Sequence, residues 1–105
     1  MTLFIRGALV CALNVSSWLQ AHGFHSPHTA SASYFSRFNS VGFSGARLGD
    51  VVVVDRGHGR KHVMIYLRHI NQGGICLNPS TRKQKWVETD CFRVWRGHFR
   101  KVVRP

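Results

Sequence analysis

The run Val51-Val-Val-Val54, closed by Asp50 and Asp55, constrains this chain more than any other feature. Four β-branched residues in a row favour extended backbone, and with no polar position among them both faces of that strand must be covered. A second strand follows from His62 to Arg68, after the turn Arg56-Gly-His-Gly-Arg-Lys61. In it Val63, Ile65 and Leu67 share one face, while His62, Met64 and Tyr66 share the other. Further short strands are expected at Gly74 to Asn78, Lys85 to Glu88 and Phe92 to Arg96, divided by turn residues Gly73, Pro79 and Asp90.

Upstream the period changes. Ala8, Ala12, Val15 and Leu19 form one helical stripe within residues 8 to 22, widened by Leu9, Leu13 and Trp18, and Gly23 is placed to end it. Residues 24 to 29 read as a loop. A weaker helix is expected over residues 30 to 38, with Ala30, Tyr34, Phe35 and Phe38 on one side. The Gly- and Ser-rich stretch 39 to 49 reads as a surface connection. Helices first and strands after indicate an α+β fold with an antiparallel sheet. A length of 105 residues suits a single domain, 1–105.

Fifteen Lys and Arg face four acids, for a formal net charge of +11, and the first acid is Asp50. Such a surface attracts polyanions: nucleic acid, anionic lipid or acidic envelope polymers. Three cysteines, Cys11, Cys76 and Cys91, are too few for a disulfide scaffold, although Cys76 and Cys91 could pair. Their spacing matches no zinc motif, and His58 and His62 straddle a turn and a strand start rather than a helix face, so neither a metal nor another cofactor is expected. The apolar run Gly7 to Leu13 after Arg6 is too short to span a bilayer. It could belong to a signal peptide cleaved near Ala21, but Asn14, Ser16 and Ser17 interrupt it, and a buried helix is the expected reading.

Cys11 falls in the first turn or so of the first helix, where unpaired backbone N–H groups favour a thiolate and can hold an oxyanion. A buried structural cysteine is the plainer alternative for that residue alone. His62, opening a core strand after a Gly-rich turn, is placed to line a cleft as a base. Asn78, at the end of the next strand, could fix its tautomer.

The stretch Cys11-Ala-Leu-Asn-Val-Ser-Ser-Trp-Leu-Gln-Ala-His-Gly23 resembles the cysteine-bearing helix of the CHAP and related papain-like cell-wall hydrolases. Leu48-Gly-Asp-Val-Val-Val-Val54 is similar to that family's Gly-Asp strand start, and His62-Val-Met-Ile-Tyr66 to its His-Val strand. Asn78 falls where such enzymes place a polar third residue, and Arg93-Val-Trp-Arg96 resembles their closing strand. The chain departs from the family pattern at Val10, at Leu48 and in the neighbours of Asn78. The resemblance implies a papain-like fold, with N-terminal helices packed on the sheet. It implies Cys11 as nucleophile, His62 as base and Asn78 as orienting group, acting on an amide of bacterial peptidoglycan. It also implies a secreted, periplasmic or cell-wall location, reached by export or by lytic release of a phage-encoded enzyme. Two rival readings are a basic nucleic-acid-binding module, suggested by the tail Arg93-Val-Trp-Arg-Gly-His-Phe-Arg-Lys101, and an inactive structural relative.

Overall fold

The computed structural model describes residues 3–93 and 99–105. Six antiparallel strands form one sheet in the order β1-β6-β2-β3-β4-β5. They are β1 (Asn39–Val41), β2 (Val51–Gly57), β3 (Arg60–Ile70), β4 (Gly73–Ser80), β5 (Lys85–Asp90) and β6 (Phe99–Arg104), preceded by one α-helix, α1 (Cys11–Ala21).

The valine run fills the middle of the sheet. β2 lies between β6 and β3, pairing Val53 with both Lys101 and Val63. Its side chains alternate as expected. Val51 and Val53 join Val63, Ile65, Val103 and the α1 residues Ala12, Val15, Trp18 and Leu19 in one core. Val52 and Val54 join Met64, Tyr66, Cys76 and Val102 in a second core on the opposite face. Each valine is at most 3% exposed. Burial of such side chains contributes about 1.5–3 kcal/mol apiece, which makes this strand the axis of the fold.

The helix ends where Gly23 predicts. Gly23 has φ +79°, its N–H donates to the Gln20 carbonyl, and the Phe24 N–H reaches back to Leu19. These bonds make a Schellman closure that only a residue at ease in left-handed backbone allows. Because α1 supplies half of one core, cleavage near Ala21 would remove that half. Among the described residues, no helix is long and apolar enough to cross a membrane.

Three expected elements differ. Residues 30 to 38 do not form a second α-helix; Ala32–Arg37 is a single 3-10 segment that buries Phe35. Phe35 is the one fully buried anchor, with Ala32 and Phe38 packed only partly buried beside it, too narrow a stripe to hold a longer helix on the sheet. The 39 to 49 connection contains β1, a three-residue edge strand paired with β6 through Asn39–Arg104 and Val41–Val102. Two exposed polar residues and one half-buried valine give no alternation to read. The strand expected at Phe92 to Arg96 begins instead as a turn at residues 91–93, with the Phe92 N–H on an Asp90 carboxylate oxygen; residues 94–96 lie outside the described residues. Among the described residues, the strand that closes the chain is β6.

Cys76 and Cys91 are bonded as a disulfide. It joins β4 to the residue after β5 and is fully buried. Sequence spacing alone leaves that pairing open.

Candidate active site

The site lies where β3 and β4 part. Their ladder runs from Ile70–Gly73 up to Ile65–Leu77 and stops there. Beyond it comes Pro79, which has no N–H to offer β3. The N–H of Val63 therefore lies past the end of the ladder, and it donates to the Cys11 sulfur.

Cys11 is the first residue of α1, and its own N–H and that of Ala12 also reach the sulfur. The segment before it is held by Asn14, whose side chain bonds the N–H and carbonyl of Ile5 and the carbonyl of Val10 at 2.7–3.1 Å. Asn14 is wholly buried. Its polarity interrupts the apolar run in sequence, and its role is to pin residues 5–10 across the helix start. Gly7 is held in turn by Gln84 on the β4–β5 turn, through bonds of 2.8 and 2.9 Å.

His62 and Asn78 are joined directly, Nε2 to Oδ1 at 2.7 Å. The amide oxygen can only accept, so Nε2 carries the proton and Nδ1 is the basic nitrogen. Alternation places both residues on the same face of neighbouring strands, and the end of the ladder leaves room for a side-chain bridge in place of backbone bonds. The structure thus brings His62 and Asn78 together and sets Cys11 against Val63, the residue after His62.

Two cavities open over these groups. Cys11 lines one of about 590 Å³, and His62 and Asn78 line the other, of about 390 Å³. Arg56 and Thr81 line both.

Electrostatics differ from the expectation of a ready thiolate. Burial pushes the Cys11 thiol up, outweighing the Val63 and Ala12 N–H groups and the charge of Arg56, which favour the anion. Burial likewise lowers His62 to about 4, against the Asn78 bond, which favours imidazolium, and together with Arg56, which opposes it. At rest the thiol and the imidazole are both neutral. The helix start works as expected, but desolvation is the larger effect.

The tail proposed for nucleic acid divides. Residues 94–98 lie outside the described residues, and β6 beyond them is committed to the sheet. Val102 and Val103 are buried, Lys101 Nζ donates to the Ser36 carbonyl at 2.8 Å, and Arg104 grips the buried Asp50 carboxylate through two bonds of 2.8 Å. Among the described residues no cluster of His, Cys, Asp or Glu could hold a metal.

Sequence reading passes over two features of the site, the N–H of Val63 past the ladder and Arg56. The first depends on where pairing stops, which no local pattern encodes. The second has a signal, a basic residue between Asp55 and Gly57, but that stretch reads simply as a turn.

No curated protein and no solved structure matches this chain. The sequence pattern of the NlpC/P60 family, papain-like cysteine peptidases that act as cell-wall hydrolases, matches residues 9–104. That span begins two residues before the Cys11 helix and ends on the last residue of β6, so it takes in every element that builds the cleft, and this chain belongs to the NlpC/P60 family.

Proposed function

We propose that the chain is a cysteine amidase or endopeptidase that cleaves an amide bond of bacterial peptidoglycan, with Cys11 as nucleophile, His62 as general base and acid, and Asn78 as orienting group. The observation that carries this reading is the His62–Asn78 bond of 2.7 Å, in a cavity that shares Arg56 and Thr81 with the one lined by a cysteine at a helix start.

His62 Nδ1 takes the thiol proton as the sulfur attacks the substrate carbonyl carbon, so thiolate and imidazolium arise during the step rather than at rest. The developing oxyanion is met by backbone N–H groups at the α1 start. Collapse breaks the C–N bond, His62 returns the proton to the departing amine, and an acyl-thioester remains on Cys11. Water, losing a proton to the same imidazole, attacks the thioester carbonyl; the C–S bond breaks, the acid is released, and the proton returns from His62 to the Cys11 sulfur. Asn78 holds Nε2–H throughout and keeps the tautomer that this sequence of transfers requires.

An extracytoplasmic site of action is supported by the buried Cys76–Cys91 disulfide, a bond that persists in oxidising compartments, and the surplus of basic residues would draw the protein to an anionic envelope. The whole of residues 1–105 acts as one domain in this reading.

Isolated peptidoglycan is the test substrate. The protein should release soluble fragments with new amino groups and no new reducing ends, since glycoside cleavage needs paired carboxylates. Cys11→Ser should abolish release with the fold retained by circular dichroism. Release that survives in Cys11→Ser, or the appearance of reducing ends, refutes the assignment, and a folded wild-type protein with no release would make the chain an inactive relative.

A further inference from the structure

The segment before α1 holds apolar side chains out in water. Among the described residues eight large apolar side chains are exposed, and four of them, Leu3, Ile5, Leu9 and Leu13, fall within residues 3–13. Leu3 is 84% exposed and Leu9 88%. The segment is fastened in this state. Phe4 turns inward, its ring edge-on to Trp86 of β5 at 6.0 Å, while Leu3 and Ile5 on either side of it are exposed. The buried Asn14 holds the N–H and the carbonyl of Ile5 against the first turn of α1, and Gln84 does the same for Gly7. Leu9 has φ +56°, left-handed backbone that a bulky side chain rarely adopts. Backbone strain and apolar exposure both oppose this arrangement, and strain that a fold maintains points to function. Of the four, only Leu9 lines the Cys11 cavity, so a ligand in that cavity would leave Leu3, Ile5 and Leu13 uncovered.

The charge around the segment is of one sign. Arg6 is exposed within it, and the Gly7–Gln84 bonds set it beside the β4–β5 turn, where Arg82, Lys83 and Lys85 are exposed. Residues 1–49 contain no acid. Each of the chain's four acids is ion-paired, with Lys61, Arg68, Arg93 or Arg104, and none of those pairs takes in the four basic residues named here.

We propose that residues 3–13 and the β4–β5 turn form a docking face for an anionic lipid bilayer. Leu3, Ile5, Leu9 and Leu13 enter the headgroup boundary, while Arg6, Arg82, Lys83 and Lys85 meet lipid phosphates. The exposed leucines distinguish this partner from a dissolved polyanion. A nucleic acid or an acidic wall polymer would use the charge and leave the leucines in water. At a bilayer surface apolar burial and electrostatic attraction add. The face lies on the bilayer rather than crossing it, because Arg6 and Asn14 interrupt an apolar stretch already too short to span. The proposal is independent of hydrolysis and adds a partner other than the wall amide.

Co-sedimentation of the full chain with vesicles tests it. Vesicles of equal parts phosphatidylglycerol and phosphatidylcholine should bind the wild-type protein, and added salt should weaken that binding. Pure phosphatidylcholine vesicles should bind about tenfold more weakly or less. Leu9→Asn is the deciding variant, since Asn is at ease in left-handed backbone and leaves the net charge unchanged. It should keep or raise the melting temperature while weakening binding to the anionic vesicles about fivefold or more. Leu48→Asn, at an exposed leucine of a separate cavity, should bind as the wild type does. Equal binding by wild type and Leu9→Asn overturns the proposal, for charge alone would then hold the vesicles, as it would a nucleic acid. Equal binding to the two kinds of vesicle overturns it, and so does a loss in Leu48→Asn that matches the loss in Leu9→Asn. A lower melting temperature in Leu9→Asn would make Leu9 a structural residue and overturn it too. A wild-type dimer that Leu9→Asn converts to monomer, with no binding of vesicles by either, would give the face to a second copy of the chain instead.

Discussion

His62 shows how one residue ties chemistry to stability. Its proton affinity is lowered from the ordinary 6.5 to about 4, mainly by burial. As pH falls below 6.5 the unfolded chain takes up this proton while the folded chain does not, so the unfolded state gains. The loss grows until pH nears 4 and amounts to about 3 kcal/mol once both states are protonated. Urea unfolding of the wild type should therefore show a lower midpoint at pH 4.5 than at pH 7, and His62→Gln should lose less over that range; an equal loss in both would place the effect elsewhere. In the proposed mechanism the same shift sets the acid limb. The acid limb of kcat/KM should fall near pH 4, where the base becomes protonated, and a limb near 6.5 would mean that the imidazole is not desolvated in the working enzyme. Cys11 is shifted the other way, so in the proposed mechanism its proton leaves to His62 during attack. Asn78→Ala removes the bond to Nε2 and should lower kcat roughly tenfold or more, with little change in KM. A change confined to KM would make Asn78 a binding residue.

At the scale of elements, two features explain why particular residues stand where they do. Gly49, before Asp50, has φ +92°, and a Cβ there would sit inside the Phe24 ring. The Gly-Asp start of β2 is thus a contact between backbone and an aromatic face, with the Asp50 carboxylate closing its turn on the Arg47 N–H at 2.9 Å. Gly49→Ala should destabilise by about 2 kcal/mol or more, since it meets both positive φ and overpacking; a chemical-denaturation midpoint equal to wild type would contradict that. The Cys76–Cys91 disulfide closes 15 residues of chain across the hairpin that carries Asn78. Reduction should cost about 3 kcal/mol by the chain-entropy account, read as a drop in melting temperature in dithiothreitol, and an unchanged melting curve would show that packing alone holds the hairpin.

These elements also show what a sequence makes legible. Val51 to Val54, the His62 to Leu67 alternation and Gly23 are readable because each rests on local rules of period and backbone. The 3-10 segment at Ala32–Arg37 is not, because its helical pattern competes with the burial of Phe35, whose pull is tertiary. β1 is hidden because an edge strand of only three residues, two of them polar, is defined by its partner. At the site, Cys11, His62 and Asn78 are each nameable from sequence, and the structure joins the last two directly. The protonation of the pair is not legible, since burial is a property of the packed molecule. Arg56 needs the β2–β3 register shift between Asp55 and Gly57 before its position means anything.

On the scale of the whole molecule, the two cores, the sheet between them and the splay of β3 from β4 serve one arrangement. α1 covers one face and delivers Cys11 to the gap, while the opposite face carries His62 and Asn78. The final strand is fastened by Arg104 on Asp50 at 2.8 Å, with Asp50 only 3% exposed along its side chain. The molecule's +11 charge acts at longer range and should make envelope binding, unlike the cleavage step, steeply dependent on salt. The most direct measurement of the central claim is a titration of Cys11 itself. Protein alkylated to increasing extents, with the modification located on Cys11 by mass spectrometry, is assayed for amino groups released from peptidoglycan. Release should fall in proportion to the modified fraction and reach zero when Cys11 is fully alkylated; fully alkylated protein that still releases amino groups would contradict it.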